Sequence, residues 1–166
     1  MAKVGMIMGS DSDWPVMEPG YRQLLDMGVE VEVLVASAHR NPETVRQFAV
    51  GAEERGLKAI IAGAGMAAHL PGVVAAFTTL PVIGVPISGS AARGLDALLA
   101  IVQMPPGIAV ATMAIDGGKN AGLYAAAILA AADPVLAAKL KDFRKAQAEG
   151  VAAKNAALQA KLSPRG

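Results

Sequence analysis

No cysteine occurs among the 166 residues, and charged residues make up only 17% of them. Without cysteine the chain can form no disulfide and can use no thiolate chemistry. Its 15 basic and 14 acidic residues almost cancel, so no excess of positive charge is available to follow a nucleic-acid backbone or an anionic membrane surface. We therefore expect neither a nucleic acid nor a membrane as a partner.

A long uninterrupted apolar segment is also missing. Residues 59–92 carry no charged side chain, but three prolines and five glycines divide them into pieces too short to span a bilayer. The first residues lead directly into a strand-like run, without the basic region and apolar stretch of a secretory signal, which predicts a cytoplasmic protein. Hydrophobic residues make up 54% of the chain, and few residues are charged. This composition indicates that part of the surface is buried between copies of the chain, and we therefore expect a homo-oligomer.

Short apolar runs alternate with helical stretches along the chain, as in α/β folds. The pattern predicts a parallel sheet covered by helices on both faces, with strands at 3–8, 29–35, 58–62, 82–85 and 108–113. We expect a single domain over 1–166, with an α/β core at 1–132 and a C-terminal helical arm at 133–166. The sequence leaves open whether this arm packs on its own core or on a neighbouring subunit.

The same pattern predicts where individual elements lie. Valine alternates with glutamate in the second strand, which indicates a strand exposed on one face near a sheet edge. Asn41 and Pro42 resemble the cap and first turn of a helix that ends at Gly56. A later helix is predicted over 91–102, and the alanine-rich helix at 119–132 permits close packing. Asp133 is the expected cap of the last helix, which runs to about Gly150 and can continue through 152–162.

The chain has only two histidines, His39 and His69, and each follows a predicted strand. Ligands of open parallel sheets bind beyond the carboxyl ends of the strands, and histidine is the side chain best able to move protons near neutral pH. The first hypothesis is therefore a proton-transfer enzyme, with the adjacent Arg40 suited to a phosphate group. His69 either lines the same pocket or bonds a loop carbonyl.

Two further loops follow predicted strands at the same rim. Residues 9–13 join the first strand to a helix, where free N–H groups favour an anion, although Ser12 or Asp13 can equally serve only as a helix cap. Apart from Met66, residues 63–68 are small and let a ligand approach the backbone, but they lack the dinucleotide-binding fingerprint. Residues 103–107 precede the fifth strand, so they either form a turn or reach a site across a subunit contact.

In combination, these motifs resemble those of one known family. From about residue 4 to residue 150 the chain is similar to the class I PurE family, the N5-carboxyaminoimidazole ribonucleotide mutases of bacterial purine synthesis. The matching segments are 8–14, 37–42, 60–65, 67–72, 80–86 and 101–105. The chain departs from the family pattern at Asn41, at Met66 and at residues 88–90.

The resemblance implies a flavodoxin-like three-layer sandwich with a five-stranded parallel sheet, and a homo-octamer in which the helical arm reaches a neighbour. It implies an isomerase of IMP biosynthesis that moves a carboxylate from N5 to C4 of the imidazole. The reaction proceeds by decarboxylation, trapping of CO2 and recarboxylation, without metal or organic cofactor. It also implies a ribonucleotide substrate that can be transferred from the carboxylating synthetase.

The resemblance further assigns roles to individual residues. His39 is the predicted general acid and base. The predicted substrate-binding residues are Ser10, Ser12, Asp13, Ser37, Arg40, Gly65, Met66, Ala67, His69 and Leu70.

Two alternative functions remain. One is a class II aminoimidazole ribonucleotide carboxylase that uses CO2 directly, against which Arg40 argues because class II has lysine there. The other is a non-catalytic flavin- or nucleotide-binding module, against which the lack of aromatic residues in the loops argues.

Overall fold

The computed structural model describes residues 3–162, and these form two compact units, the first ending at Leu129 and the second beginning at Ala130. The first unit holds a five-stranded parallel sheet with the strand order β2-β1-β3-β4-β5, which is the flavodoxin-like order. The predicted fold class is therefore confirmed. The strands are β1 (Lys3–Met8), β2 (Glu30–Val35), β3 (Leu57–Gly65), β4 (Val82–Ile87) and β5 (Ala111–Thr112).

Four α-helices connect successive strands, and two more follow the last strand of the described chain. A short 3₁₀ helix at Asp11–Asp13 precedes the first of them. The helices are α1 (Trp14–Asp26), α2 (Pro42–Val50), α3 (Leu70–Ala76), α4 (Leu95–Val102), α5 (Gly118–Ala130) and α6 (Pro134–Leu162). Within residues 3–162, none of them combines the length and the apolar character that crossing a membrane would require.

The sheet is buried between helices, which is why its central strands read as continuous apolar runs. Ile60, Ala62 and Ala64 of β3 belong to one core cluster with residues of α2, α3 and α4. The residues between them point to the opposite face, where a side chain on Gly63 would meet Met17 of α1. β2 lies at the sheet edge as predicted, but its exposed side carries Val33 and Val35. Glu32, on the other side, is half-buried and pairs with Lys3 and Arg55.

Glycines allow α1 and α5 to pack backbone to backbone. A Cβ atom added to Gly20 would collide with the carbonyl oxygen of Gly118. A Cβ on Gly122 would lie 2.6 Å from the carbonyl oxygen of Gly20. The close helix packing expected from the small residues of α5 therefore depends on glycine on both helices.

Three predicted elements differ from the observed ones. β5 has only two residues, Ala111 and Thr112, which pair with Ile83 and Gly84 of β4. Because β4 begins at Val82, one residue before this pairing, it offers little partner strand for the predicted residues before Ala111. The second helix ends at Val50 rather than near Gly56, and hydrogen-bonded turns fill the interval. α4 begins at Leu95 rather than at residue 91, since the preceding Gly94 adopts a positive φ of 86° that a helix does not continue.

The second unit is dominated by α6. This helix runs without interruption from Pro134 to Leu162, so the predicted continuation through residues 152–162 is confirmed. Asp133 caps it as predicted, because its Oδ1 accepts hydrogen bonds from the N–H groups of Val135 and Leu136 at 2.9 and 3.1 Å. The last residues, 163–166, lie outside the described part of the chain.

Candidate active site

A cavity of about 550 Å³ lies at the carboxyl ends of β1 to β4. The structure brings every predicted site residue to its wall: Ser10, Ser12, Asp13, Ser37, His39, Arg40, Gly65, Met66, Ala67, His69 and Leu70. It adds five residues that sequence reasoning missed: Gly9, Ala38, Ala64, Ile87 and Gly89. The first three adjoin predicted residues. Ile87 is the last residue of β4 and Gly89 follows it, and the shared rim of parallel strand ends was the signal that could have found both.

The two histidines meet inside this cavity. Nε2 of His39 is 2.8 Å from Nδ1 of His69, and the rings are nearly perpendicular, at 79° with centroids 4.9 Å apart. A neutral imidazole has one donor and one acceptor nitrogen, so this contact holds a single hydrogen between the rings. Of the two interpretations of His69, the structure supports the one in which it lines the pocket.

The loop between β2 and α2 is closed by its own hydrogen bonds. Oδ1 of Asn41 accepts a hydrogen bond from the N–H of Ser37 at 2.6 Å, and the N–H of Asn41 donates to the carbonyl of Ser37 at 3.0 Å. Oγ of Ser37 in turn accepts from the N–H groups of His39 and Arg40, both at 3.3 Å. Asn41 occupies the N-cap position of α2, directly before Pro42, as predicted. Its side chain makes no cap bond, however, and turns back to the loop that carries His39.

Arg40 links this loop to the one that follows β1. Its Nη2 donates a hydrogen bond to the carbonyl oxygen of Gly9 at 3.3 Å. The guanidinium therefore lies beside the segment that was expected to bind an anion, although 31 residues separate the two in sequence. A permanent positive charge next to backbone and hydroxyl donors is suited to a phosphate group.

The segment after β1 forms a helix cap and also lines the cavity. Ser10 is the N-cap of the 3₁₀ helix: its Oγ accepts from the N–H of Ser12 at 3.3 Å, and its own N–H donates to Oδ2 of Asp13 at 3.1 Å. Oγ of Ser12 donates to Oγ of Ser10 at 2.8 Å. A helix cap is therefore present in this segment, but it is Ser10 and not Ser12, and Asp13 contributes to it only by accepting from the N–H of Ser10. The same side chains remain on the cavity wall.

Asp13 is the carboxylate of this segment that lines the cavity. Burial raises its pKa above the usual 3.8, and the N–H groups of Ser10 and Gly9 partly oppose that shift, while the neighbouring Asp11 adds to it. Asp11 does not belong to the cavity wall. Only one of the two carboxylates therefore lines the cavity, which limits the repulsion of a bound anion. Because burial disfavours the charged form of Asp13, a hydrogen bond from a ligand hydroxyl group would stabilise its carboxylate.

Met66 follows β3 directly and has an unusual backbone. Its φ of 55° lies in the left-handed region, which costs an L-residue about 1–2 kcal/mol relative to the right-handed one. Its carbonyl accepts a hydrogen bond from the N–H of Ala68 at 2.9 Å, and the N–H of His69 donates to the carbonyl of Ala67 at 2.8 Å. This tight turn brings His69 back toward His39.

The segment before β5 contributes nothing to this wall, and the described residues hold no candidate metal site. Residues 103–107 follow α4, and none of them lines the cavity of the described chain. Residues 3–162 also contain no cluster of three or more histidine, aspartate or glutamate side chains placed to hold a metal ion.

The strand order, together with a cavity that carries an arginine and two histidines, defines a flavodoxin-like α/β protein whose cavity is suited to a small anionic molecule. A model of the AIR carboxylase family matches residues 3–150, and the chain belongs to that family. The resemblance seen in the sequence motifs is thereby confirmed.

Individual relatives match over most of their length. The N5-carboxyaminoimidazole ribonucleotide mutase of Pyrococcus abyssi is 59% identical over 145 residues, which cover 87% of this chain and 83% of the relative. That of Mycobacterium tuberculosis is 57% identical over 157 residues, covering 95% and 90%. The crystal structure of Treponema denticola PurE superimposes with a TM-score of 0.86 at 28% identity, over 95% of this chain and 99% of that one.

Proposed function

We propose that this protein is an N5-carboxyaminoimidazole ribonucleotide mutase, an isomerase of de novo purine biosynthesis. Relatives of that name are 57–59% identical to it over most of the chain. The structural observation that carries the proposal is the meeting of His39 and Arg40 with the segment 9–13 in one cavity. A proton donor and an anion site are thus within reach of the same small molecule.

The proposed reaction uses one imidazole twice. His39 donates a proton to N5 of the substrate as the bond between N5 and the carboxylate carbon breaks, which releases carbon dioxide. C4 then forms a bond to that carbon dioxide, and the proton displaced from C4 returns to His39. The residue ends in its starting protonation state, so the net change is an isomerisation that needs no external acid or base.

The remaining wall residues hold the nucleotide. Arg40, with the hydroxyls of Ser10 and Ser12, binds the phosphate, while Asp13 accepts hydrogen bonds from the ribose hydroxyls. Ser37 keeps the loop of His39 in place through its two accepted hydrogen bonds. The wall around the imidazole and the carboxylate is formed by Gly65, Met66, Ala67, His69 and Leu70.

One assay tests the function and its nearest alternative together. The purified protein should convert N5-carboxyaminoimidazole ribonucleotide to its C4-carboxylated isomer without ATP or added bicarbonate. A class II carboxylase would instead need the uncarboxylated nucleotide and bicarbonate, and would leave the N5-carboxylated compound unconverted. Conversion only under the second condition would contradict the proposal. A flavin-binding role is disfavoured because the described residues on the cavity wall include no Phe, Tyr or Trp.

We further propose a cytoplasmic homo-octamer that takes its labile substrate from the carboxylating synthetase. Support for self-association comes from α4, which exposes Leu95, Leu99 and Val102, an apolar surface of the kind that marks interfaces. The division into a core ending at residue 132 and an arm that reaches a neighbouring subunit stays a prediction. Light scattering should give a mass about eight times the 16.8 kDa of one chain, and a monomer would contradict this assembly.

A further inference from the structure

The end of β4 forms one side of the candidate active site, and no regular strand supports it there. Ile87 is the last residue of β4, Gly89 follows it, and both line the cavity. The chain departs from the family pattern in this segment, at residues 88–90. The neighbouring strand β5 ends at Thr112 and pairs only with the beginning of β4. The cavity wall therefore extends beyond the partner strand.

The side chain of Asp116 takes the place of that missing partner. The N–H of Asp116 donates a hydrogen bond to the carbonyl of Pro86 at 2.8 Å, and its Oδ1 accepts one from the N–H of Ser88 at 2.9 Å. In a parallel ladder, the N–H and the carbonyl of one residue bond in this way to the two residues that flank its partner. Asp116 thus brackets Ile87 as a strand residue would, with a carboxylate oxygen in place of its main-chain carbonyl.

The backbone of Asp116 explains why the second bond comes from the side chain. Its φ of 58° lies in the left-handed region, so the main chain leaves the strand conformation at this residue. Aspartate and asparagine adopt this conformation more readily than most residues, and both carry an acceptor oxygen. Glycine would make the same turn without strain but would offer no acceptor to the N–H of Ser88.

Ile87 connects this contact to the part of the wall proposed to surround the imidazole and the carboxylate. It pairs with Gly65 of β3, which also lines the cavity. The two residues are so close that a Cβ atom added to Gly65 would lie 3.2 Å from the carbonyl oxygen of Ile87. A displacement of Ile87 therefore changes the shape of the site next to Gly65.

We propose that Asp116 is a positioning residue whose carboxylate fixes Ile87 and Gly89 in the cavity wall and thereby sets the fit of the nucleotide. This inference rests on the proposed function. Every bond in the argument lies within one chain, so none of them requires a neighbouring copy. The substrate is held correctly only while the segment after β4 keeps its place.

Three substitutions separate the acceptor from the backbone turn. Asp116→Gly keeps the turn and removes the acceptor, and Asp116→Ala removes the acceptor while the strain remains. Asp116→Asn keeps an acceptor oxygen in a residue that tolerates the turn. Steady-state kinetics with N5-carboxyaminoimidazole ribonucleotide give kcat/KM for each variant. Amide hydrogen exchange follows residues 87–90, and thermal unfolding reports on the fold as a whole.

We expect Asp116→Gly and Asp116→Ala to lower kcat/KM by about tenfold or more, because a small displacement of the wall misplaces the substrate. Exchange of the Ser88 amide should accelerate by about fivefold or more, as the loss of one ordinary hydrogen bond implies. The melting temperature of Asp116→Gly should stay within about 4 °C of wild type, since the lost bond and the relieved strain offset each other. Asp116→Asn should retain both the activity and the slow exchange.

A matched control is available at Arg93, which lies in the connection between β4 and α4, outside the cavity wall, and has a similar positive φ of 51°. Arg93→Gly should relieve comparable strain and leave kcat/KM and the exchange of Ser88 unchanged. The inference is overturned if Asp116→Gly keeps wild-type kcat/KM, if its Ser88 amide exchanges no faster, or if Asp116→Asn loses as much activity. Failure of the wild type to interconvert the two isomers would instead refute the proposed function, so the two failures are distinguishable.

Discussion

Nε2 of His39 lies 2.8 Å from Nδ1 of His69, although the two residues are 30 positions apart and follow different strands. The neighbouring strand β1 separates β2 from β3 in the sheet, so the loops must cross its end to bring the rings together. The contact holds a hydrogen within the cavity before any substrate arrives. In the proposed function the two rings have different roles: His39 transfers the proton, and His69 orients the His39 ring.

Substitution of His39 by asparagine should remove the general acid and base. We expect kcat to fall by at least roughly 10²–10⁴-fold, the range supplied by such catalysis, while nucleotide binding changes little. Steady-state kinetics and calorimetric titration of the substrate or product measure the two effects separately.

His69→Asn is the informative comparison. It removes the orienting ring but leaves the ring that transfers the proton, so turnover should be reduced and still measurable. Substantial turnover in His39→Asn would show that the acid and base has been misidentified.

Arg40→Ala should act on binding rather than on chemistry. Loss of the guanidinium leaves the phosphate without its cation, and we expect a loss in binding free energy of about 2 kcal/mol or more if that contact is desolvated. KM should rise while kcat stays close to wild type.

Arg46→Ala is the matched control for Arg40, because it removes the same charge from α2, where Arg46 pairs with Glu43 at 2.7 Å outside the cavity wall. It should leave KM unchanged. A defect of Arg40→Ala confined to kcat would be incompatible with a phosphate-binding role.

Asn41→Ala should loosen the loop that positions His39. It deletes the acceptor for the N–H of Ser37, a bond of 2.6 Å, and we expect the free energy of unfolding to fall by about 1 kcal/mol. The value of kcat should fall with it, because Ser37 accepts from the N–H of His39. Denaturant unfolding and kinetics provide both measurements. Asn41→Asp keeps an acceptor oxygen and should preserve both. Full activity in Asn41→Ala would show that this loop does not need the bond.

Asp13→Asn should make the free protein more stable and the nucleotide complex weaker. Because the folded-state pKa of Asp13 is raised, chiefly by burial, the folded protein binds the Asp13 proton more tightly than the unfolded chain does. Its favourable contribution is therefore complete below the ordinary value of 3.8 and is lost as the pH rises through the raised pKa.

Thermal unfolding over a pH series checks the sign. Asp13→Asn should melt above wild type near neutral pH, and the difference should vanish on acidification toward 3.8. A difference of opposite sign would mean that the N–H groups of Ser10 and Gly9 outweigh burial in the folded protein. Weaker binding of the nucleotide by the variant would support a ribose contact.

Gly20→Ala should destabilise the contact between α1 and α5. The added methyl group collides with the carbonyl of Gly118, and overpacking of this kind costs about 1–3 kcal/mol. Gly150→Ala is the control: this glycine lies inside α6 with nothing within 4 Å of an added Cβ, so alanine should stabilise by about 0.5–1 kcal/mol. Chemical denaturation of the two variants should give shifts of opposite sign. Shifts of the same sign would show that close packing at Gly20 is not the deciding factor.

Much of the architecture was readable from local pattern. The apolar run 3–8 and the valine-glutamate alternation after Gly28 predicted β1 and an edge strand β2, because burial on both faces or on one face leaves a periodic trace in the chain. The cavity followed from the same pattern, since parallel strands end at a common rim. Where local signals compete, the prediction failed. The apolar pattern predicted a helix from residue 91, but the positive φ of Gly94 delays the start of α4 to Leu95.

The sequence by itself therefore determined the order of strands and helices, the residues at the rim and the chemistry that they can carry, because each of these depends on neighbours along the chain. Only the tertiary structure decided that His39 meets His69, that the Asn41 side chain bonds Ser37 rather than an N–H group of α2, and that Met66 stands strained and exposed at the cavity rim. These arrangements depend on how separate segments pack and on the backbone angles of the loops that join them. Residue periodicity carries no record of either.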